Sequence, residues 1–374
     1  MTKGEKSQAT KKRLSGGQTL FCVMSAVAML ITFKLSDVAI EAMTEGMRLC
    51  VNTVIPSLFP FMVFSELFIA SGAAQAVGRY LAAPLTWLFD ISREGAAALL
   101  LGLLCGFPIG SRSALSLYER GRISRGELEH ILAFCNNPSS AFLISAVGVS
   151  LFGSRQLGVL FYSVHIISAF FVGLVSRPYF SKKKKEREYC LAQKGIAHRR
   201  EGFIASLTAA VGNSAGSMIL ICAFVVFFSA VVGYLRFFAV RGNMPEWAMA
   251  LTFGFFEMTG GVSKAAELPL RVAVPMAAAL TGWSGLSVAF QFVGLCKEHR
   301  VSLLPYFFSK IGSALMNALL VWGFMRLFGE RIVFGDGGSV SSLLLFSGSH
   351  VGLLSVAFFI GGCVLLVGEI RKKR

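Results

Sequence analysis

Polar side chains suited to binding a small solute interrupt two apolar segments of this sequence. Ser111 and Arg112 follow a proline in "CGFPIGSRS", and Asn136 and Asn137 precede a proline in "FCNNPSS". Each asparagine amide offers two N–H donors and a carbonyl acceptor, which match a nucleobase or another amide. A helix that restarts after an interruption also presents free N–H groups, which suit an anionic or hydroxylated solute. The alternative is that these side chains only cap the interrupted helices.

The composition places these interruptions in a membrane protein. The 374 residues are 55% hydrophobic and only 15% charged, whereas about 25% of the residues in a soluble domain are charged. Apolar stretches recur at the length of about 20 residues that a helix needs to cross a bilayer. We therefore expect an all-α fold, a polytopic integral membrane protein in contact with the lipid bilayer.

The positive charge is unevenly distributed. The net charge of +16 is concentrated at the N-terminus, in a lysine-rich segment near the middle and in the C-terminal "EIRKKR". Basic segments that flank membrane spans are normally cytoplasmic, where they lie against anionic headgroups. No nucleic-acid partner is expected, because no binding motif or aromatic interleaving accompanies this charge.

The sequence contains no recognisable catalytic or metal-binding pattern. The eight cysteines show no C-x-x-C spacing and the five histidines form no H-E-x-x-H pair. We therefore expect no enzyme activity, no catalytic residue, no metal and no cofactor.

Prolines and glycines predict where the apolar helices are interrupted. A proline removes a helical hydrogen bond and clashes with the preceding turn, so we expect the span at 47–70 to be broken. We interpret 95–122 and 270–295 as re-entrant hairpins, whose non-helical backbone must be buried in protein or line a wet cavity. The expected break and hairpin residues are Pro56, Pro60, Gly106, Pro108, Gly110, Pro138, Gly282 and Gly285.

The two halves of the chain resemble each other. Aligning "LLCGFPIGS" with "ALTGWSGLS" places Gly106 opposite Gly282 and Ser111 opposite Ser287. If both hairpins fail to cross the membrane, the second repeat is inverted relative to the first. Inverted repeats with interrupted helices are typical of secondary transporters, which bind solutes at the repeat interface near the membrane midplane. The alternative is a chance similarity of glycine-rich apolar segments.

Ionisable residues within apolar segments are functional candidates by default, because charge at bilayer depth is costly. Glu66, Glu257 and Lys310 are such residues. Glu66 lies near the end of its segment, so a headgroup position is the alternative for it. Arg112 either reaches the interface from a hairpin tip or faces a polar cavity, paired with Glu66, Glu119 or Glu257.

Three stretches resemble a known family. "VIPSLFPFMVFSELF" (54–68), the segment 106–148 and "GWSGLSVAFQ" (282–291) resemble the YlbJ family of sporulation integral membrane proteins, part of the wider group with a nucleoside-recognition, or Gate, domain. The resemblance covers roughly 40–330. It implies a multi-pass protein of the mother-cell or outer forespore membrane, needed to build the spore cortex. Nucleoside binding is implied by the domain name alone.

This resemblance and the charge pattern divide the chain into segments. In chain order these are a basic cytoplasmic N-terminus (1–18), a first transmembrane span (19–40), a first Gate-like repeat with a linking span (41–177), a basic cytoplasmic linker (178–202), a second Gate-like repeat (203–330), and a last span with a basic tail (331–374). The crossings so counted leave the basic tail outside, against the positive-inside rule, unless 246–261 crosses once more.

The expected function is to translocate or sense a small solute through the Gate-like core. The alternative is a non-transporting scaffold that recruits cortex-building proteins through the basic segments, and a less favoured one is an enzyme acting on lipid-linked precursors. Other sporulation membrane proteins and a second copy of the chain are further candidate partners. The expected binding residues are Asn136, Asn137, Ser111, Arg112, Ser287 and Gln291.

Overall fold

A computed structural model describes residues 16–71, 83–182, 202–299 and 301–328. These ranges are almost entirely helical and contain no β-strand. The expected all-α, polytopic fold is confirmed. Within this part of the chain, five helical stretches are long and apolar enough to cross a bilayer, namely Gly17–Lys34, Arg155–Phe180, Phe203–Arg241, Leu270–His299 and Leu304–Phe328.

The described chain begins with two consecutive helical stretches. α1 comprises Gly16–Lys34, and α2 comprises Ser36–Leu49 and continues through a π-helix, Cys50–Val54, into α3, Ile55–Ala70. No residue in the apolar stretch of α1 is buried, as in a helix surrounded by lipid. It is shorter than the first span predicted at 19–40.

Pro56 and Pro60 do not break this stretch, so the predicted interruption is wrong. The backbone keeps right-handed helical angles from Leu49 to Ile55, and both prolines lie within α3. A proline has no backbone N–H to donate to the preceding turn of a helix, and its ring clashes with the carbonyl of that turn. The π-helix immediately before Pro56 widens that turn, which is one way that membrane helices accommodate proline.

The next elements form a hairpin where one was expected. After α4, Ala83–Phe89, the helices α5 (Arg93–Cys105) and α6 (Ile109–Glu119) pack side by side. Their close approach requires glycine, because a Cβ added at Gly110 would lie 2.5 Å from Gly102 Cα.

The turn of this hairpin is short. It contains Gly106, at φ 79°, and Pro108, which caps α6. Gly110, which was expected at the break, instead lies in the second arm and serves to bring the arms together.

An interrupted helix and a long helix follow the hairpin. α7 comprises Arg125–Phe134, residues 136–139 are non-helical, and the chain resumes as a π-helix at Phe142–Leu151. Pro138 therefore lies in an interruption, as predicted. α8, Arg155–Lys182, continues past residue 178, where the linker was predicted to begin.

The second half begins with a long helix and another hairpin. α9 comprises Phe203–Arg241 and packs against α2 and α3. α10, Glu246–Phe256, and α11, Met258–Ala266, then pack side by side. In this hairpin the backbones of Gly254 and Gly261 touch, as those of the two glycines do in the first hairpin.

A second interrupted helix and a second long helix complete the described chain. α12 comprises Leu270–Trp283, and α13 comprises Gly285–Cys296. After a 3₁₀ turn at Lys297–His299, α14 comprises Leu304–Phe328 and packs against α12 and α8. The order of hairpin, interrupted helix and long helix thus occurs twice in the described ranges.

The predicted hairpin at 270–295 is wrong. Its two helices, α12 and α13, do not pack side by side. Gly282 lies inside α12, and the interruption is at Ser284 and Gly285, which have φ values of 69° and 82°. The sequence signal failed because the real second hairpin, at 246–266, has no proline in its turn and depends on glycine contacts between its arms.

The positions that correspond between the two halves of the chain therefore differ from those predicted. By order of elements, the turn at Gly106 corresponds to Glu257, and the non-helical stretch 136–139 corresponds to the interruption at Ser284. The proposed pairing of Gly106 with Gly282 and of Ser111 with Ser287 is therefore wrong. The Gate-like, inverted character of the two units stays a prediction.

One apolar core joins the two halves. It includes fully buried alanines on α5 and α12, such as Ala97 and Ala277, and small residues of this kind let membrane helices approach closely. The predicted last span and tail, most of the basic linker and most of the N-terminal segment lie outside the described residues.

We expect Gly110→Ala to destabilise the protein, because the added methyl group would meet the backbone of α5. Overpacking of this kind costs about 1–3 kcal/mol. The measurement is the thermal unfolding temperature of the purified protein in detergent. Gly216→Ala on α9 is the control, since its Cβ would meet nothing within 4 Å; equal effects of the two substitutions would contradict the close packing of the hairpin.

Candidate functional site

The two interrupted helices meet at one buried lysine. Lys310, on α14, is only 5% exposed. Its ammonium group donates hydrogen bonds to the backbone carbonyl of Asn136, in the first interruption, and to Ser284 Oγ, in the second, at 3.0 Å. Lys310 therefore connects the two places where membrane helices stop.

Side-chain amides stabilise the first interruption. Asn136 Nδ2 donates to Leu132 O at 2.7 Å, and Asn137 Nδ2 donates to Phe134 O at 2.9 Å, so both asparagines satisfy carbonyls at the end of α7. The Asn137 carbonyl accepts from Phe107 N at 2.7 Å. This last bond fixes the first interruption to the tip of the first hairpin.

The second interruption depends on two residues with positive φ. Ser284 is in the left-handed region, and its Oγ donates to Thr281 O at 3.1 Å. A Cβ at Gly285 would lie 2.9 Å from Met258 N, at the tip of the second hairpin. Each interruption is thus packed against the hairpin tip of its own half.

Glu257 acts as a helix cap at the second hairpin tip. Its carboxylate accepts from Thr259 N at 2.9 Å and from Gly260 N at 2.7 Å. A carboxylate at a helix N-terminus satisfies free N–H groups and interacts favourably with the helix dipole. This contact gives Glu257 a structural role.

Further buried polar groups form hydrogen bonds near the lysine. Ser111 Oγ donates to Asn136 Oδ1. About two turns further along α14, Asn317 Oδ1 accepts from Ser168 Oγ at 2.5 Å, and Asn317 Nδ2 lies 3.1 Å from His165 Nε2. We call the following buried residues the central polar cluster: Ser111, Asn136, Ser284, Lys310, Asn317, His165 and Ser168.

His165 links helices from the two halves of the chain. Its Nδ1 lies 2.8 Å from Phe161 O within α8, and its Nε2 lies 3.1 Å from Nδ2 of Asn317 on α14. The ring thereby joins α8 to α14, one helix from each half.

Arg112 belongs to a different group of contacts. Its Nε lies 3.0 Å from Glu66 Oε1, and its Nη1 lies 3.4 Å from Glu119 Oε1. Ser116 Oγ donates to Glu66 Oε2 at 2.8 Å, and His299 Nε2 lies 2.9 Å from Glu119. These residues form what we call the charged cluster, which joins α3, α6 and the 3₁₀ turn.

The charged cluster bears on two alternatives from the sequence. Glu66 is buried within the protein, against Arg112, and the headgroup position stays an alternative for it. Arg112 pairs with Glu66 and Glu119, not with Glu257. Burying two charges is costly unless they are paired, which explains why these side chains are found together.

The expected binding residues fall into separate groups. Ser111 and Asn136 are in the central polar cluster, Asn137 lies beside them as a cap, and Arg112 is in the charged cluster. On α13, Gln291 Nε2 donates to Ser287 Oγ at 3.2 Å, and both side chains are buried.

Sequence reasoning did not select several members of the central polar cluster. His165, Ser168, Ser284 and Asn317 were not proposed for the site. The sequence of α14 does indicate part of this cluster, because the polar residues Lys310, Ser313 and Asn317 recur at the spacing of one helix face.

Comparison with known proteins agrees with this architecture. The helices define a polytopic α-helical integral membrane protein. Over 312 residues the chain is 27% identical to the sporulation integral membrane protein YlbJ of Bacillus subtilis (strain 168), an alignment that covers 75% of this chain and 76% of that protein. The chain is thus similar to YlbJ over three quarters of its length, and the family resemblance drawn from its motifs is confirmed. No family model and no solved structure matches the chain.

We expect Arg112→Gln to destabilise the protein, because it leaves the Glu66 carboxylate buried without its cation. Removing one partner of a buried ion pair costs about 3–5 kcal/mol. The double variant Arg112→Gln/Glu66→Gln should recover much of this loss in thermal unfolding.

The control for this experiment is Lys264→Gln, which removes a cation paired with the exposed Glu267. Such a surface pair contributes no more than about 1 kcal/mol. A double variant as unstable as the sum of its single variants would show that the two residues do not interact.

Proposed function

We propose that this protein acts in endospore formation by binding a small solute between its two interrupted helices, and that it translocates or senses that solute. The observation that carries the proposal is the position of Lys310, which contacts both interruptions at once. The name of its relative, a sporulation integral membrane protein, supports the cellular process.

The interruptions themselves favour a binding role. Inside a bilayer, unpaired backbone N–H and C=O groups cost several kcal/mol each, and continuous helices would avoid that cost. Here two interruptions and two hairpin tips converge on buried polar side chains. Features that break the rules of stable packing are characteristic of functional sites, and paired interrupted helices are the usual solute sites of secondary transporters.

The finer parts of the proposal come from the family resemblance. It implies a role in building the spore cortex and a location in the mother-cell or outer forespore membrane. It also implies nucleoside recognition by a Gate-like core, which makes a nucleoside one candidate ligand for a binding experiment.

The proposal predicts that substitutions in the central polar cluster impair sporulation. We expect Lys310→Gln and Asn136→Ala to lower the yield of heat-resistant spores at unchanged membrane abundance. Loss of one charge-assisted hydrogen bond costs about 1.5–3 kcal/mol, which corresponds to a loss of about tenfold or more in binding. The measurement is a spore count in the native host after replacement of the chromosomal gene.

A matched pair of serines provides the control. Ser111 donates to Asn136, whereas Ser113 Oγ is buried and has no hydrogen-bond partner among the described residues, so Ser111→Ala should impair sporulation and Ser113→Ala should not. Normal sporulation of Lys310→Gln and Asn136→Ala, combined with failure after neutralisation of the basic linker, would contradict solute binding and support the scaffold alternative.

A further inference from the structure

Tyr306 is a buried tyrosine whose hydroxyl group has no hydrogen-bond partner among the described residues. The residue is 2% exposed and lies on α14, one helical turn before Lys310 and on the same face. Burying a hydroxyl group without a hydrogen bond is unfavourable, and buried polar atoms therefore nearly always have a partner. A phenylalanine would fill almost the same volume without this cost, so packing alone does not explain the tyrosine.

A second buried tyrosine shows the usual arrangement. The hydroxyl of Tyr162, on α8, donates to Leu103 O at 3.2 Å. Leu103 lies in the last turn of α5, where backbone carbonyls have no partner within the helix. Tyr162 therefore has a structural role, since it satisfies a helix end. In the part of the chain that the structure describes, the hydroxyl of Tyr306 makes no contact of this kind.

Packing fixes the position of the Tyr306 hydroxyl. The ring stacks on that of Phe292, on α13, with the ring centroids 4.0 Å apart and the planes inclined by 19°. Both rings are buried. A tyrosine ring is rigid and carries its hydroxyl at one end, so a ring held in this way presents the hydroxyl at one place.

That place is next to the first interruption. The thiols of Cys135 and Cys296 lie within electrostatic range of the hydroxyl. Cys135 ends α7 immediately before Asn136 and lies within electrostatic range of Lys310 as well. The ring of Tyr306 itself is 5.8 Å from Lys310 Nζ. A thiol is only a weak donor and a weak acceptor, so the hydroxyl keeps its hydrogen-bonding capacity beside the central polar cluster.

We propose that the hydroxyl of Tyr306 is a binding group of the solute site and donates a hydrogen bond to an acceptor atom of the solute. This inference rests on the proposed function and adds to its site a residue from outside the central polar cluster. The solute then carries an oxygen or nitrogen acceptor within reach of Tyr306 while it lies against Lys310. Because the ring is already held in place, this bond forms without the cost of ordering a side chain.

The test is Tyr306→Phe, which removes the hydroxyl and keeps the ring, its stacking on Phe292 and its contact with Lys310. Loss of one neutral hydrogen bond lowers affinity about two- to tenfold. We expect the yield of heat-resistant spores in the native host to fall by a factor of this size at unchanged membrane abundance. The gene is expressed at the lowest level that gives the wild type a normal yield, so that binding limits the yield.

The stability of the same variant separates a binding role from a structural one. Because Tyr306→Phe removes a polar group that has no partner, the unfolding temperature of the purified full-length protein in detergent should stay the same or rise. A hydroxyl needed for folding would give the opposite result, a lower unfolding temperature together with a lower membrane abundance.

Two matched variants provide the controls. Tyr162→Phe removes a hydroxyl that satisfies Leu103 O, so it should lower the unfolding temperature and leave the spore yield per membrane-inserted protein unchanged. Ser113→Ala removes another buried hydroxyl that lacks a partner among the described residues. It should leave the spore yield normal, which shows that losing such a hydroxyl is not harmful in itself.

The outcomes separate this inference from the proposed function. A normal spore yield of Tyr306→Phe at limiting expression, in a host where Lys310→Gln is defective, overturns the role of the hydroxyl and leaves the proposed function standing. A lower yield that is accompanied by a lower unfolding temperature overturns it as well. Failure of the proposed function is recognised independently, by normal sporulation of the Lys310→Gln and Asn136→Ala strains.

Discussion

The hydrogen bonds from Lys310 to Asn136 O and Ser284 Oγ hold together two places where helices stop inside an apolar environment. A bilayer offers no water to the backbone groups freed at such places, so the protein itself must satisfy them. The amides of Asn136 and Asn137 do this for the end of α7, and the ammonium group connects that end to the start of α13.

The surrounding elements support this arrangement. Each hairpin presents its tip to one interruption, and its arms can approach closely because glycines face each other at Gly102 and Gly110, and at Gly254 and Gly261. The charged cluster around Arg112 lies apart from Lys310 and pairs its own charges. The structure thus separates an ion-pair network, which stabilises packing, from the buried Lys310, which donates hydrogen bonds to a carbonyl and a hydroxyl.

The sequence could predict those features that depend on the backbone preferences of single residues. The breaks at Gly106, Pro108 and Pro138 are of this kind, because proline and glycine alter the helix at their own positions. The hairpin at 246–266 has no such signal, because it depends on contacts between its two arms. The contact of Lys310 with Asn136 joins residues 174 positions apart, and neither periodicity nor spacing reports such a pairing. The interruption predicted at Pro56 is absent, because the π-helix before it accommodates the proline within a continuous helical stretch.

The most direct test of this account is an electron cryo-microscopy structure of the protein in lipid nanodiscs at a resolution that places the Lys310 side chain. We predict that Nζ lies within hydrogen-bond distance of both Asn136 O and Ser284 Oγ, with the helix interrupted between Trp283 and Gly285. A Lys310 side chain directed toward lipid, or a continuous helix through Ser284, would contradict it.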